Sequence, residues 1–146
     1  MVQPTQSKEP IRVLLADRHQ LVQETVYESF VQAEDVVLTA VIATETELEA
    51  ALATPPDILL ISPNLRTTTP FFALLARLHK RVKATLPIIA LLGECDEVCI
   101  QQLVEHGVAG CVLKEESGAT LVTAVRTVAQ GDSWFSQPVM LSLIHI

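Results

Sequence analysis

The sequence predicts an α/β fold in which a five-stranded parallel sheet is wound on both faces by helices. Three observations carry this. Short aliphatic runs recur along the chain and stop at polar residues, the mark of strands buried on both faces. Between them apolar residues repeat every three or four positions, which is helical spacing. Strand and helix then alternate to the end, a pattern that implies parallel pairing through crossovers.

Each element can be justified in order. Ile11 to Ala16 is an apolar run that stops at Asp17-Arg18-His19-Gln20, a first strand. Val22, Val26, Phe30 and Ala33 recur at helical spacing. Val36 to Ile42 is β-branched and apolar, a second strand. Thr44 and Glu47 have capping-box spacing ahead of Leu48, Ala51 and Leu52, and Pro55-Pro56 ends that helix. Ile58 to Ile61 is the third strand, followed by a loop from Ser62 to Thr69. Pro70 suits the first turn of a helix whose stripe is Phe71, Leu74, Leu75, Leu78 and Val82. Pro87 to Leu92 is the fourth strand, and a helix from about Asp96 to His106 stops at Gly107. Cys111 to Leu113 is a short fifth strand, and Val122, Val125 and Val128 mark a last helix closed by Gly131.

Composition narrows the function. The 146 residues suit one domain with a real core. Half of them (49%) are hydrophobic and 4% aromatic, the opposite of a disordered chain. Ten basic and 17 acidic residues give a net charge of −7, a poor surface for duplex nucleic acid. No apolar run approaches the roughly 18 residues of a membrane span, and the polar start shows no signal-peptide core. Three cysteines do not make a disulfide framework. The expectation is a cytoplasmic protein with no membrane association.

In a parallel sheet of this kind the reactive loops lie at the carboxyl ends of the strands. Here those ends are Asp17-Arg18, Ser62, Leu92-Gly93 and Lys114. Three stretches around them carry a resemblance: Val13 to Val22, Pro56 to Ser62, and His106 to Lys114. Together with Gly131 to Ser136 they resemble the receiver domain of LuxR/NarL-type response regulators, from about Ile11 to Pro138. The resemblance implies a flavodoxin-like (βα)5 fold and, in the family, phosphoryl transfer from a kinase histidine to an aspartate with Mg²⁺ bound by carboxylates. It also implies a charge-neutralising lysine and a switching hydroxyl.

Measured against that pattern the site is degenerate. Ser62 stands at the phosphoacceptor position, and no base is evident beside it. Of the acidic pair only Asp17 remains, because Arg18 puts a permanent positive charge where the metal would sit. Leu92 and Cys111 occupy the two switch positions, and Leu65-Arg66-Thr67 replaces the turn after the nucleophile. Asp17 and Lys114 alone survive, which reads as an internal ion pair. Arg18 could pair with Asp17 or imitate the charge of Mg²⁺. The residual pocket is Asp17, Arg18 and Lys114, with no catalytic residue, metal or cofactor. Ser62 reads as a small polar residue ending a strand rather than as a kinase target.

The other singled-out residues have bland readings. Cys95 and Cys99, with His106 seven further on, lack the ligand set of a zinc site and read as buried apolar thiols. His19 reads as a loop or helix-start residue. Arg77, Lys80, Arg81 and Lys83 read as a solvated face at a helix C-terminus. The band Leu121, Val122, Ala124, Val125, Val128 and Ala129 is broader than one core face and suggests a partner surface, as the last helix does in receivers of this type.

The expected organisation is a disordered segment over 1–10, a receiver-like domain over 11–131 and a linker start or foreign tail over 132–146. Leu141 to Ile146 matches nothing in the expected linker. The implied function is that of a pseudo-receiver, not an enzyme, acting through homodimer contacts or a partner such as a sensor kinase or other regulatory protein. DNA would be reached only through a helix-turn-helix domain that this sequence does not contain. One alternative is a Mg²⁺-dependent receiver using a displaced acid such as Glu94 or Glu115. Another is an enzyme on the same sheet, against which stands the lack of GxGxxG, Walker or GxSxG motifs.

Overall fold

The computed structural model describes residues 9–82 and 86–136, the side chain of Val82 excepted. Apart from Glu9 and Pro10, the expected N-terminal segment lies outside the described residues, as do Lys83 and residues 137–146. Eleven elements alternate in the order β1 (Ile11–Ala16), α1 (Gln20–Val31), β2 (Val36–Ile42), α2 (Glu45–Ala51), β3 (Ile58–Ile61), α3 (Phe71–Val82), β4 (Ile88–Leu92), α4 (Glu97–Glu105), β5 (Gly110–Leu113), α5 (Gly118–Ala129) and β6 (Trp134–Phe135). The strands pair in the order β2-β1-β3-β4-β5-β6, all in parallel.

The five expected strands and five expected helices are all present, and the doubly wound flavodoxin-like class holds. Among the described residues the sheet has six strands rather than five. Strand β6 is the addition: the Trp134 N–H donates to the Ala109 carbonyl at 3.1 Å, and Ser136 N–H to that of Cys111 at 2.9 Å. Two residues are too few to show any periodicity, so composition gave no hint of it. The folded unit therefore extends at least as far as Ser136, beyond the boundary expected at Gly131.

Strand alternation divides the core into two layers. Val13 and Leu15 join Ile58, Leu60 and Ile89 under α1 and α5, while Leu14 and Ala16 join Leu59, Ile61 and Ala90 under α2, α3 and α4. Each central strand thus buries both faces, which is why its sequence is aliphatic throughout. The pairing of β1 with edge strand β2 shifts by one residue: Val13 faces Leu38, but Leu14 faces Ala40. Thr39 is the extra residue, and its hydroxyl donates to the Val13 carbonyl at 3.2 Å.

The helix ends follow their sequence signals. Thr44 and Glu47 form the reciprocal capping box of α2, Asp96 caps α4 through the Cys99 N–H, and Ser117 caps α5 through that of Thr120. Gly107 stops α4 at φ 71° and Gly131 stops α5 at φ 96°, both in the left-handed region that favours glycine.

Two expectations about helix faces need correction. Leu121, Val122, Ala124, Val125 and Val128 are all buried, and only Ala129 of that band is exposed. The band is broad because α5 packs against both the sheet and α1, so two internal neighbours use it and no free partner surface results. The basic cluster on α3 is not simply solvated either. Arg77 pairs with Glu45 and Glu49 of α2, and Arg81 with Glu49. These pairs tie α3 to α2 across the surface.

Candidate functional site

The site forms where β1 and β3 end side by side. Ala16 pairs with Ile61 in the parallel register, so the next residues, Asp17 and Ser62, emerge as neighbours. The Ser62 hydroxyl donates to Asp17 Oδ2 at 2.6 Å, and its oxygen accepts the Asn64 N–H at 3.1 Å. Asp17 Oδ1 accepts the His19 N–H at 2.7 Å. Lys114 follows β5, two strands from β3, and its long side chain brings Nζ to 3.3 Å from Asp17 Oδ2. Asp17 and Ser62 are both 0% exposed.

The structure therefore brings together three of the expected residues and leaves one apart. Asp17 and Lys114 form the internal ion pair. Ser62 joins them, which corrects the expectation that no base stands beside it: the Asp17 carboxylate does. Arg18 is exposed and its main-chain N–H donates to the Asn64 carbonyl at 3.2 Å, so its guanidinium neither pairs with Asp17 nor replaces a metal charge. Chemically the arrangement is a pin. Oδ2 is shared between a hydroxyl and an ammonium, and the serine oxygen already accepts a main-chain N–H, which leaves little basicity to activate the hydroxyl.

The two residues expected at switch positions are apolar and buried. Leu92 and Cys111 are both buried in the layer under α2, α3 and α4. Burial, helped by the nearby Glu116 charge, pushes the Cys111 thiol up to about 12.

No protein-family model matches the chain. The transcriptional regulatory protein MctR of Rhizobium johnstonii is 33% identical over 137 residues, which cover 92% of this chain and 62% of that protein. A nitrate/nitrite response regulator protein homolog of Haemophilus influenzae is 23% identical over 139 residues, 94% of this chain and 66% of that one. The chain thus spans a little under two thirds of each relative. Among solved structures, the Salmonella typhimurium RcsB response regulator superposes with a TM-score of 0.85 at 21% identity, over 94% of this chain and 69% of that one. The isolated receiver domain of RcsB from Salmonella enterica, solved with a phosphomimetic beryllium fluoride, gives 0.81 at 21% identity over 90% and 97%. A LuxR-family two-component response regulator from Aurantimonas gives 0.83 at 19% identity over 94% and 97%. The fold is that of a response-regulator receiver domain.

On this fold the residues at the strand ends do not fit a divalent cation. A hard cation needs several free acidic oxygens. Both oxygens of Asp17 already have donors, and the next residue, Arg18, brings no carboxylate. Among the described residues no group of three or more His, Cys, Asp and Glu side chains could hold a metal.

Some residues that matter in the site and its surroundings were not singled out from sequence. Asn64 completes the Ser62 pin, and the spacing of two from a serine was its only available signal. Ser136 is fully buried and links β5 to β6, donating to the Cys111 carbonyl at 3.1 Å and accepting the Leu113 N–H at 3.2 Å. Glu116 closes the same corner by accepting that N–H at 2.9 Å. Nothing local announces a contact made over more than twenty residues.

Cys95 and Cys99 are not buried thiols. They are half-buried and joined as a disulfide, with Cα atoms 5.3 Å apart. Cys95 precedes the N-cap Asp96, and the bend of the chain into α4 brings it to Cys99 in the first turn. His106 stays separate: its Nδ1 lies 2.7 Å from the Gln102 carbonyl, and its ring sits 6.0 Å from that of Phe72. His19 is the residue before α1, as expected.

Proposed function

We propose that this receiver domain is the input half of a LuxR/NarL-type transcriptional regulator that works as a pseudo-receiver, without aspartyl phosphorylation. One observation carries the reading: the buried Ser62 hydroxyl at the end of β3 is bound to an Asp17 carboxylate that Lys114 already neutralises. A phosphoacceptor must present a free nucleophile to a donor and offer its neighbours to Mg²⁺. Here the lysine charge is used within the protein, and the site is held in one arrangement.

Output on this reading comes from contacts. RcsB has been solved as two dimers bound to two parallel DNAs, and a homodimer of this receiver is the corresponding assembly. DNA would be reached through a helix-turn-helix domain outside this sequence, because the receiver itself is acidic. A sensor kinase or other regulatory protein is the remaining partner class. The buried stripe of α5 does not serve those contacts, so other faces must. Among the described residues no helix is long and apolar enough to cross a membrane, and nothing in the reading requires catalysis.

The test is incubation with acetyl phosphate and Mg²⁺, read by intact mass. No added phosphoryl group is expected. A stoichiometric, acid-labile adduct would overturn the proposal and turn attention to Glu94 and Glu115, both exposed near the strand ends.

A further inference from the structure

The disulfide at the start of α4 has no part in the Asp17–Ser62–Lys114 pin, and it lies within a single corner of the fold. Its ring encloses only Asp96, Glu97 and Val98, so it connects no two elements that the sheet does not already connect. The first turn of α4 has a cap of its own, since the Cys99 N–H donates to Asp96 Oδ1 at 2.9 Å. What the bond fixes is the corner that leads from β4 into α4. Gly93, Glu94 and Asp96 are exposed there, and a side chain at Gly93 would meet nothing within 4 Å, so the corner has open space around it.

We propose that Cys95 and Cys99 are a reversible thiol–disulfide switch that sets the order of the β4–α4 corner. Three features support it. Both cysteines are part-exposed and so reachable by a small thiol or disulfide. Cys95 stands just ahead of the cap and Cys99 in the first turn, with Cα atoms 5.3 Å apart, so the pair closes without moving the sheet, and a helix N-terminus favours the Cys99 thiolate. The third cysteine, Cys111, is 0% exposed and cannot compete for the bond. In a reducing compartment such a pair is ordinarily a transient, responsive one rather than a staple.

The chemistry balances with a low-molecular-weight disulfide as oxidant. One protein thiolate attacks a sulfur of that disulfide and expels one small thiolate, leaving a mixed disulfide. The second protein thiolate attacks the protein-side sulfur and expels the other. Two protein thiols lose two protons and two electrons, and the small disulfide is reduced to two thiols. A small dithiol reverses the reaction. Closing the ring holds Val98, 62% exposed, on the outer side of the first turn. Opening it frees Cys95 and the two residues before it.

The experiment uses the whole chain equilibrated in glutathione buffers of graded redox ratio. Free thiols are counted by native maleimide labelling and intact mass, and backbone order by hydrogen exchange. Two labels per chain are expected in reducing buffer and none in oxidising buffer. Exchange over residues 93–99 should slow several-fold on oxidation while the sheet is unchanged. Cys99→Ser should stop at the mixed disulfide, and Cys111→Ser should behave as wild type. Thiols that stay free in excess oxidised glutathione would overturn the proposal. So would a bond that opens only in denaturant, or whose loss raises exchange throughout the domain, because either would make it a structural staple.

Discussion

Replacing Ser62 by alanine should destabilise this domain by about 2–3 kcal/mol, although the change removes a single oxygen. The hydroxyl is fully buried and donates to a carboxylate at 2.6 Å. Hydrogen bonds to charged groups contribute about 1.5–3 kcal/mol net. The Asn64 N–H, part-buried, loses its acceptor as well, which adds up to ~1 kcal/mol because water can replace some of it. Lys114 and the His19 N–H remain on Asp17, so the carboxylate is not left bare and the cost stays below that of a stranded charge. For a domain of this size 1 kcal/mol moves the melting temperature by roughly 3–5 °C, so a fall of about 10 °C is expected. Thermal and urea unfolding followed by circular dichroism would measure it, with the urea m-value unchanged. Thr123→Ala, which removes an exposed hydroxyl bonded only to the preceding turn of its own helix, is the control and should stay within about 0.5 kcal/mol. If Ser62→Ala matches that control, the serine is not a pin, and the reading of the site as a closed hydrogen-bonded unit fails.

Two further outcomes follow from the surface and the sheet edge. Arg126 binds Asp35 through two hydrogen bonds, at 2.7 and 2.8 Å, and holds its carboxyl below the usual aspartate range. A depressed carboxyl stabilises the fold above its unfolded pKa of about 4 and loses that contribution as pH falls through the folded value. Asp35→Asn should therefore melt slightly below wild type at neutral pH, with the gap closing as the pH is taken below 4; a gap independent of pH would contradict the assignment. At Gly110 an added Cβ would lie 2.5 Å from the Trp134 carbonyl oxygen. Gly110→Ala should push β6 away, red-shift the emission of the one tryptophan and cost about 1–3 kcal/mol, as overpacking does. Unchanged emission would mean that β6 tolerates the methyl and that its pairing is looser than the geometry indicates.

Most of the frame was legible in the sequence because burial on both faces leaves a strong mark. Strands β1, β2 and β3 begin and end where their aliphatic runs do, and Thr44, Pro70, Gly107 and Gly131 punctuate the helices as their chemistry requires. The ion pair of Asp17 and Lys114 was legible because few roles remain for a lone carboxylate and a lysine at strand ends on the same edge of the sheet. Other features depended on what lies opposite. The α5 band looked like a partner surface because sequence shows how wide an apolar face is but not how many neighbours cover it. The proximity of Cys95 and Cys99 was visible in their spacing, yet whether two thiols a turn apart are buried or bonded depends on packing around the corner. Ser136 and Asn64 act through partners that only the folded chain supplies.

The irregular pairing of β2 has a consequence for the protein in concentrated solution. An edge strand offers a row of unused main-chain donors and acceptors to any other chain, and Val36 to Ile42 carries no charge and no proline to discourage one. Val37 and Val41 are moreover exposed along it. The extra residue at Thr39 breaks the register into two runs of three pairs, and its hydroxyl ties the break to Val13. A bulge twists and bends the strand that carries it, so an incoming strand would find a template only three residues long before the direction changes. At this edge backbone geometry, rather than charge, opposes self-association.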